Sequence, residues 1–269
     1  MIIGIVGLGV VGSANKKGFE DLNHKLVIHD LKMNTKIQDI LKSEICFVCV
    51  PSPETDNQEC DTSIVEEIIT QLSDLNFQGI VAIRSTVIPG FTQYAIEKYN
   101  NLKICFVPEF LRERCAYDDF VKNHNVLVVG TDDKWIFEKI VYAHGHYPKN
   151  TKQLKPSEAE ILKYYSNVFA ALKVTFANIM YDLSESMNCD YSSIKETFVL
   201  TGKADSSYLD ANQNLRGYGG VCLPKDTRAL HQLLKKKGFN FQLINAIDQD
   251  NYKFKTTVFN GMRNGKSNT

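Results

Sequence analysis

The sequence predicts an α/β protein in which a doubly wound parallel sheet is followed by an all-helical domain with one long helix. Three observations predict it. In the first half, short apolar runs rich in β-branched residues alternate with segments of helical periodicity, the order that places crossover helices on a parallel sheet. The first of these runs ends in a glycine-rich turn, Gly7-x-Gly9-x-x-Gly12. From about Lys155 the strand pattern stops, and "PSEAEILKYYSNVFAALKVTFANIMYDLSESM" continues past its opening Pro156 with no further glycine or proline.

The expected strands are "IIGIV", "KLVIHD", "ICFVCV", "GIVAIRS", "KICFVPE" and "NVLVVG". Between them, "VEEIITQLSDL" and "WIFEKIVYAHG" carry apolar residues at helical spacing, as crossovers require. The long helix is expected to open with Pro156 at its first position and a capping box formed by Ser157 and Glu160. Further helices are expected in "YSSIKETFVL", "KDTRALHQLLKKKG" and "FNFQLINAIDQDNYKFKT". The boundary is expected in "YPKNTKQLKP", which gives a first domain over 1–150, a second over 151–260 and a polar tail over 261–269.

Composition narrows the function classes. At 269 residues and 43% hydrophobic, the chain is long enough to bury a core. Lysine plus arginine equals aspartate plus glutamate at 31 each, so no general attraction to nucleic acid or to an anionic membrane is expected. The start lacks a basic leader, and no apolar run approaches the roughly 20 residues that span a bilayer. A cytoplasmic protein is expected. Seven cysteines at irregular spacings fit reduced thiols better than a disulfide framework. Cys46 and Cys49 have C-x-x-C spacing, but they lie in a strand-like run and should point to opposite faces, so no metal site is expected.

The glycine turn follows a strand and opens a helix, the context in which a pyrophosphate approaches the helix N-terminus of a Rossmann-type domain. Asp30 closes the next strand 18 residues past Gly12, where an acid binds a ribose diol. It would repel a 2'-phosphate, so NAD is expected over NADP, a preference that nearby Lys32 weakens. Later strands end in "VPSP", "RSTVIPG" and "VPEFLRE", and such ends line the ligand edge of a doubly wound sheet. Glu109 and Glu113, four apart, share a face if their turn is helical. Lys163 and Asn167 share a face of the long helix, with Ala170 and Val174 continuing the stripe. By periodicity Lys163 is either a snorkelling surface residue or a buried cation aimed at developing negative charge. Cys222, in "RGYGGVCLPKD", is either a small packed side chain or a nucleophile.

These motifs occur in one order, and with it the chain resembles the UDP-glucose/GDP-mannose dehydrogenase family. The motifs are the glycine turn, "VPSP", "STVIPG", "PEFLRE", "AEILKYYSN" and "GYGGVCLPKD", and the resemblance covers nearly all of residues 1–255. It implies a nucleotide-sugar 6-dehydrogenase of polysaccharide biosynthesis that oxidises a C6 alcohol twice, with two NAD molecules, to a uronic acid. By the same matching Cys222 is the nucleophile, Lys163 and Asn167 support the oxyanion, and Asp226 orders lysine and water. Thr86 and Glu113 hold water, and Glu109 faces the substrate. The candidate cofactor contacts are Gly7, Gly9, Val10, Val11, Gly12, Asp30, Val50, Pro51, Ser85, Thr86 and Glu113. The candidate substrate contacts are Glu109, Phe110, Leu111, Lys163, Asn167, Arg216, Gly217 and Gly219. A homodimer through the long helix is also expected, since its apolar residues extend around more than one face.

Two features depart from the pattern. Family members continue into a third domain that closes over the UDP or GDP, and this chain, ending at Thr269, is expected to lack it. UDP-glucose members place an arginine where Ser206 stands, sixteen residues before Cys222, and Arg216 is the candidate to take over an anion contact. A two-domain β-hydroxyacid dehydrogenase and a catalytically weak NAD-binding subunit remain as alternatives.

Overall fold

Along the central strands, successive side chains enter opposite cores. In β3 (Ile45–Val48) and β4 (Ile80–Ile83), Cys46, Val48, Val81 and Ile83 belong to one apolar cluster. Ile45, Phe47, Ile80 and Ala82 belong to the other. A strand buried on both faces reads as a continuous apolar run, and each large side chain so buried contributes on the order of 2 kcal/mol.

The structure, a computed structural model, describes residues 1–254. The expected tail at 261–269 and the end of the second domain at residue 260 lie outside the described residues. The strands are β1 (Ile2–Val6), β2 (Lys25–His29), β3, β4, β5 (Lys103–Phe106), β6 (Leu127–Gly130) and β7 (Thr151–Leu154). They form one sheet in the order β2-β1-β3-β4-β5-β6-β7. The fold class is therefore the expected α/β Rossmann type. Helices α1 (Val10–Asp21), α4 (Ala116–Val121) and α5 (Lys134–His144) cover one face, where Phe19, Phe120 and Ile140 join the core. Helices α2 (Ser63–Asp74) and α3 (Phe91–Lys98) cover the other through Ile69 and Phe91.

Three sequence expectations are corrected. The sheet is not wholly parallel, because β5 and β6 pair antiparallel through Phe106 and Gly130. A seventh strand, β7, pairs in parallel with β6. Its residues "TKQL" are mostly exposed, so this edge strand has no apolar pattern; it is held by main-chain pairing to β6, by Gln153 Nε2, which donates to Thr131 O at 2.9 Å, and by Leu154, which packs on the core. Finally, the long helix α6 (Pro156–Ser186) does begin at Pro156, but Ser157 and Glu160 do not form its cap. The Lys155 N–H donates to Glu158 Oε2 at 2.9 Å. Glu160 instead accepts the N–H groups of Gly90 (2.6 Å) and Thr92 (2.7 Å) at the start of α3.

The chain divides into two compact units, one of residues 1–53 and 60–163, the other of Glu54–Glu59 and the chain from Tyr164 onward. The division falls within α6. The second unit continues with α7 (Tyr191–Leu200), α8 (Cys222–Lys236) and α9 (Leu243–Lys253). Asp190 caps α7 by accepting the N–H groups of Ser192 and Ser193. Val168, Ala171, Tyr218 and Ile247 form one small core of this unit. The Glu54–Glu59 segment belongs to it through Arg228, whose Nη2 donates to Glu54 Oε2 at 2.6 Å, and through Lys236, which pairs with Glu59 at 2.6 Å.

Candidate active site

In the first unit the site starts where the strand order reverses. The chain steps from β1 to β2 on one side and returns to β3 on the other, and ligands of open α/β sheets bind at that switch point. Gly7 ends β1 at φ +91°, and a Cβ there would lie 2.6 Å from the Cys49 carbonyl oxygen that leaves β3. A Cβ on Gly12 would lie 1.9 Å from Gly7 O. The turn itself therefore requires both glycines. Gly9 differs, because a Cβ there would meet nothing within 4 Å. The protein's own packing leaves that space open, in front of a helix whose N-terminus has no side-chain cap. The N–H groups of Val10 and Val11 lie in that first turn, where anions bind. The residues present thus fit a dinucleotide pyrophosphate.

Asp30 follows β2. Its Oδ2 accepts the Leu8 N–H at 2.6 Å and its Oδ1 the Lys32 N–H at 2.8 Å, and these two bonds hold the carboxyl below its ordinary range. After β4, Ser85 Oγ donates to Val50 O at 2.7 Å, joining the β4 loop to the β3 loop that carries Val50 and Pro51. The main-chain oxygen of neighbouring Thr86 accepts from Cys60 Sγ at 3.5 Å. These candidates share one edge because β1 to β5 run parallel.

After β5 the geometry differs from the expectation. Residues 109–112 are not helical, and a 3-10 turn begins only at Glu113. Glu109 and Glu113 therefore do not share a helical face. Glu113 is exposed, whereas Glu109 is buried. Lys163, 3% exposed, donates through Nζ to Glu109 O at 2.6 Å and to Glu109 Oε1 at 3.0 Å. The Leu111 N–H donates to Glu109 Oε2 at 2.7 Å, and the Phe110 ring lies 5.8 Å from the Lys163 nitrogen. Lys163 is thus a buried cation and not a surface lysine.

In the second unit, Cys222 is the first residue of α8, whose start precedes the expected one at Lys225. Its thiol is exposed, while Cys46, Cys49, Cys60 and Cys105 are buried. Cys46 and Cys49 enter opposite cores. Burial raises the Cys49 thiol to about 12. One turn past Cys222, on the same face of α8, Asp226 is fully buried. Its Oδ2 accepts from Asn167 at 2.6 Å and its Oδ1 from Lys225 at 2.6 Å. Arg216 pairs with Asp182 at 2.6 Å and stacks over Tyr181 at 4.8 Å. Gly217 and Gly219 lie in the loop before α8.

Sequence reasoning missed several residues that hold these loops. Asp119 accepts the Arg112 N–H at 2.9 Å and its guanidinium at 2.7 Å, which fixes the chain just after Leu111. Asn178 and Asn251 grip the glycine loop, and Lys225 faces Asp226. A sequence signal was present only at Asn178, a polar residue inside the largely apolar α6.

A Rossmann-type sheet with a switch-point glycine turn and an acid after β2 defines a dinucleotide-binding protein. Comparison with known proteins narrows this. The UDP-glucose/GDP-mannose dehydrogenase family matches through its NAD binding domain over residues 17–144 and its central domain over residues 157–253. The chain belongs to that family, and its first part is the family's NAD-binding domain. It is similar to UDP-glucose 6-dehydrogenase AglM of Haloferax volcanii, 26% identical over 91% of this chain and 68% of the relative. UDP-glucose 6-dehydrogenase of Streptococcus pneumoniae is 32% identical over 77% of this chain and 54% of its own length. A UDP-glucose dehydrogenase structure from Pyrobaculum islandicum superposes with TM-score 0.86 at 25% identity, covering 94% of this chain and 68% of that one. A 3-hydroxyisobutyrate dehydrogenase of Mycobacterium tuberculosis, at TM-score 0.73 and 11% identity over 94% of this chain and 92% of its own, shows the shared fold alone. The chain spans between 50% and 68% of the length of the curated relatives it matches.

Proposed function

We propose that this chain carries the NAD-binding and thiol-bearing parts of a nucleotide-sugar 6-dehydrogenase acting on a UDP-glucose-like substrate. One observation carries the reading: an exposed cysteine at the first turn of α8 within "GYGGVCLPKD", in a protein that buries four other thiols. NAD, held at the Gly7–Gly12 turn and Asp30, would supply the hydride acceptor for each of the two oxidations. The helix N-terminus at Cys222 favours the ionised sulfur. That sulfur adds to the carbon of the first-formed aldehyde, and the electron pair of the broken C=O π bond moves to oxygen, giving a thiohemiacetal. Loss of a second hydride from that carbon leaves a thioester. Water then cleaves it, releasing the uronic acid and returning the sulfur. In this reading Lys163 and Asn167 supply positive charge and a donor to the oxyanion, and Asp226 orients Asn167. Thr86 and Glu113 hold the water, and Glu109 reaches the substrate through the position Lys163 gives it.

The long helix supports pairing with a second copy in the cytoplasm. Tyr165, Phe169, Phe176, Ile179 and Leu183 stay exposed at spacings of four, seven, three and four residues, a seam of the kind that packs against another helix.

The test is incubation of wild type and Cys222→Ser with NAD and UDP-glucose, followed by intact mass and NADH counting. Wild type should release two NADH per uronic acid, and the serine variant should stall at an acyl adduct or the aldehyde. Equal rates of uronic acid release would sink the nucleophile, and one NADH per substrate would favour a β-hydroxyacid dehydrogenase. NAD binding without turnover in either protein would favour a catalytically weak subunit.

A further inference from the structure

The loop that brings Cys222 to α8 is held by side-chain amides. Asn212 and Leu215 close a small bridge just before it, and the chain then turns at Gly217 and Gly220, with φ +59° and +77°. Asn178, on α6, accepts the Gly217 N–H at 3.1 Å through Oδ1. Its Nδ2 donates to Val174 O on its own helix at 2.9 Å. Asn251, on α9, grips Tyr218 twice: Oδ1 accepts the Tyr218 N–H at 2.8 Å, and Nδ2 donates to the Tyr218 carbonyl at 2.9 Å. Asn251 is 0% exposed and Asn178 1%.

This double grip has a strict chemical requirement. The Asn251 amide pairs with Tyr218 as one peptide group pairs with another in a sheet, so it needs one acceptor and one donor on the same planar group. Aspartate has no donor and leucine has neither. The Tyr218 ring is anchored as well, in the small core with Val168, Ala171 and Ile247. Two of the three residues between Tyr218 and Cys222 are glycines, which have no side chain to pack. Tyr218 is therefore the fixed point on one side of the thiol, and the body of α8 is the fixed point on the other.

We infer that Asn251, assisted by Asn178, is a positioning residue for the Cys222 thiol: its buried amide holds Tyr218 by both main-chain groups and so sets where the sulfur leaves the glycine loop. This rests on the nucleophile reading for its purpose, but it is tested without turnover. In Asn251→Asp the donor is lost and a buried negative charge faces the Tyr218 carbonyl, so the peptide must move.

The experiment is alkylation by iodoacetamide as a function of pH, read on the tryptic peptide GYGGVCLPK. Exposed Cys189 is the internal control. At pH 7, Cys222 in Asn251→Asp should react roughly fivefold or more slowly than in wild type, because displacement from the helix N-terminus raises the pH at which the sulfur ionises. Cys189 should keep its wild-type rate. A folded variant with an unchanged Cys222 profile overturns the inference, as does an equal change at both cysteines. Should Asn251→Asp not fold, Asn178→Ala is read in the same way. Hydrogen exchange on wild type adds a further check, since a Tyr218 amide exchanging at unstructured-chain rates also overturns it. If Cys222→Ser turns over normally while alkylation still depends on Asn251, the positioning stands and the nucleophile reading falls.

Discussion

Lys163 donates twice to Glu109, to its main-chain oxygen at 2.6 Å and to its carboxylate at 3.0 Å, with both residues buried. Removing one partner of such a pair leaves a charge with little solvent to stabilise it. Lys163→Met should therefore lower unfolding stability by about 3 to 5 kcal/mol. Glu109→Gln should cost less, because the main-chain oxygen still accepts from Lys163. Urea midpoints of the two variants check this, and equal small losses would contradict a buried pair.

Asp30 connects the end of β2 to the glycine turn through Leu8. If its carboxylate also selects the ribose diol, Asp30→Ala should weaken NAD by roughly ten- to a hundredfold, the loss of a charge-assisted hydrogen bond of about 1.5 to 3 kcal/mol. NADP should be affected less. Fluorescence titration with both dinucleotides measures the ratio.

Two buried histidines and Asp119 contribute to the acid response of the first unit. Burial, and then the nearby Arg84 charge, lower His124 from 6.5 to about 4, and His144 is lowered for the same reasons. Both are neutral in the fold, and the unfolded chain takes up their protons first. The His124 contribution is therefore fully present above pH 6.5 and is lost as pH drops from there towards 4, and His144 acts in the same direction. His124→Phe should flatten this part of a pH series of urea midpoints.

Asp119 acts at lower pH. Burial alone would raise its carboxyl, but the Arg112 guanidinium and N–H and the Asn123 amide outweigh it and bring it from 3.8 to about 2. Its contribution is present above pH 3.8 and is lost as pH falls towards 2. Asp119→Asn should be less stable than wild type at pH 7 by about 1 to 2 kcal/mol, discounted because Arg112 is largely exposed. The difference between the two proteins should vanish near pH 2.

The exposed seam on α6 predicts a dimer. Phe169→Glu with Phe176→Glu should give monomers at micromolar concentration by sedimentation without loss of helix signal, since both side chains are about half exposed. A wild-type monomer under the same conditions would remove the interface.

Much of the fold is legible in the residues because its signals are local. Ile80 to Ile83 read as a strand since both faces are buried, and α6 reads as a helix since nothing interrupts it. β7 is not legible, because Thr151 to Gln153 are exposed and polar and show no apolar alternation, and its place is set by main-chain pairing with β6. At the site, the glycine turn and Asp30 were legible as candidates from spacing, and Cys222 as a candidate from its motif and the family resemblance. The Glu109–Glu113 face was not, because the chain after β5 leaves regular structure for the six residues 107–112 before its 3-10 turn.

The sequence by itself determined where the six apolar strands and the long helix form, which glycines the turn needs, and which cysteine follows a run of small residues. Those properties follow from side-chain periodicity and backbone freedom within a few residues. Only the tertiary structure decided the partners of the buried polar groups. Glu160 left its own helix end to cap α3, Lys163 went to Glu109, Asn251 closed on Tyr218, and Asp226 took both Asn167 and Lys225. The physical reason is that a buried charge or amide must find a partner of matching donor and acceptor geometry wherever the fold brings one within about 3 Å. The sequence shows the residue type but not which distant element will face it.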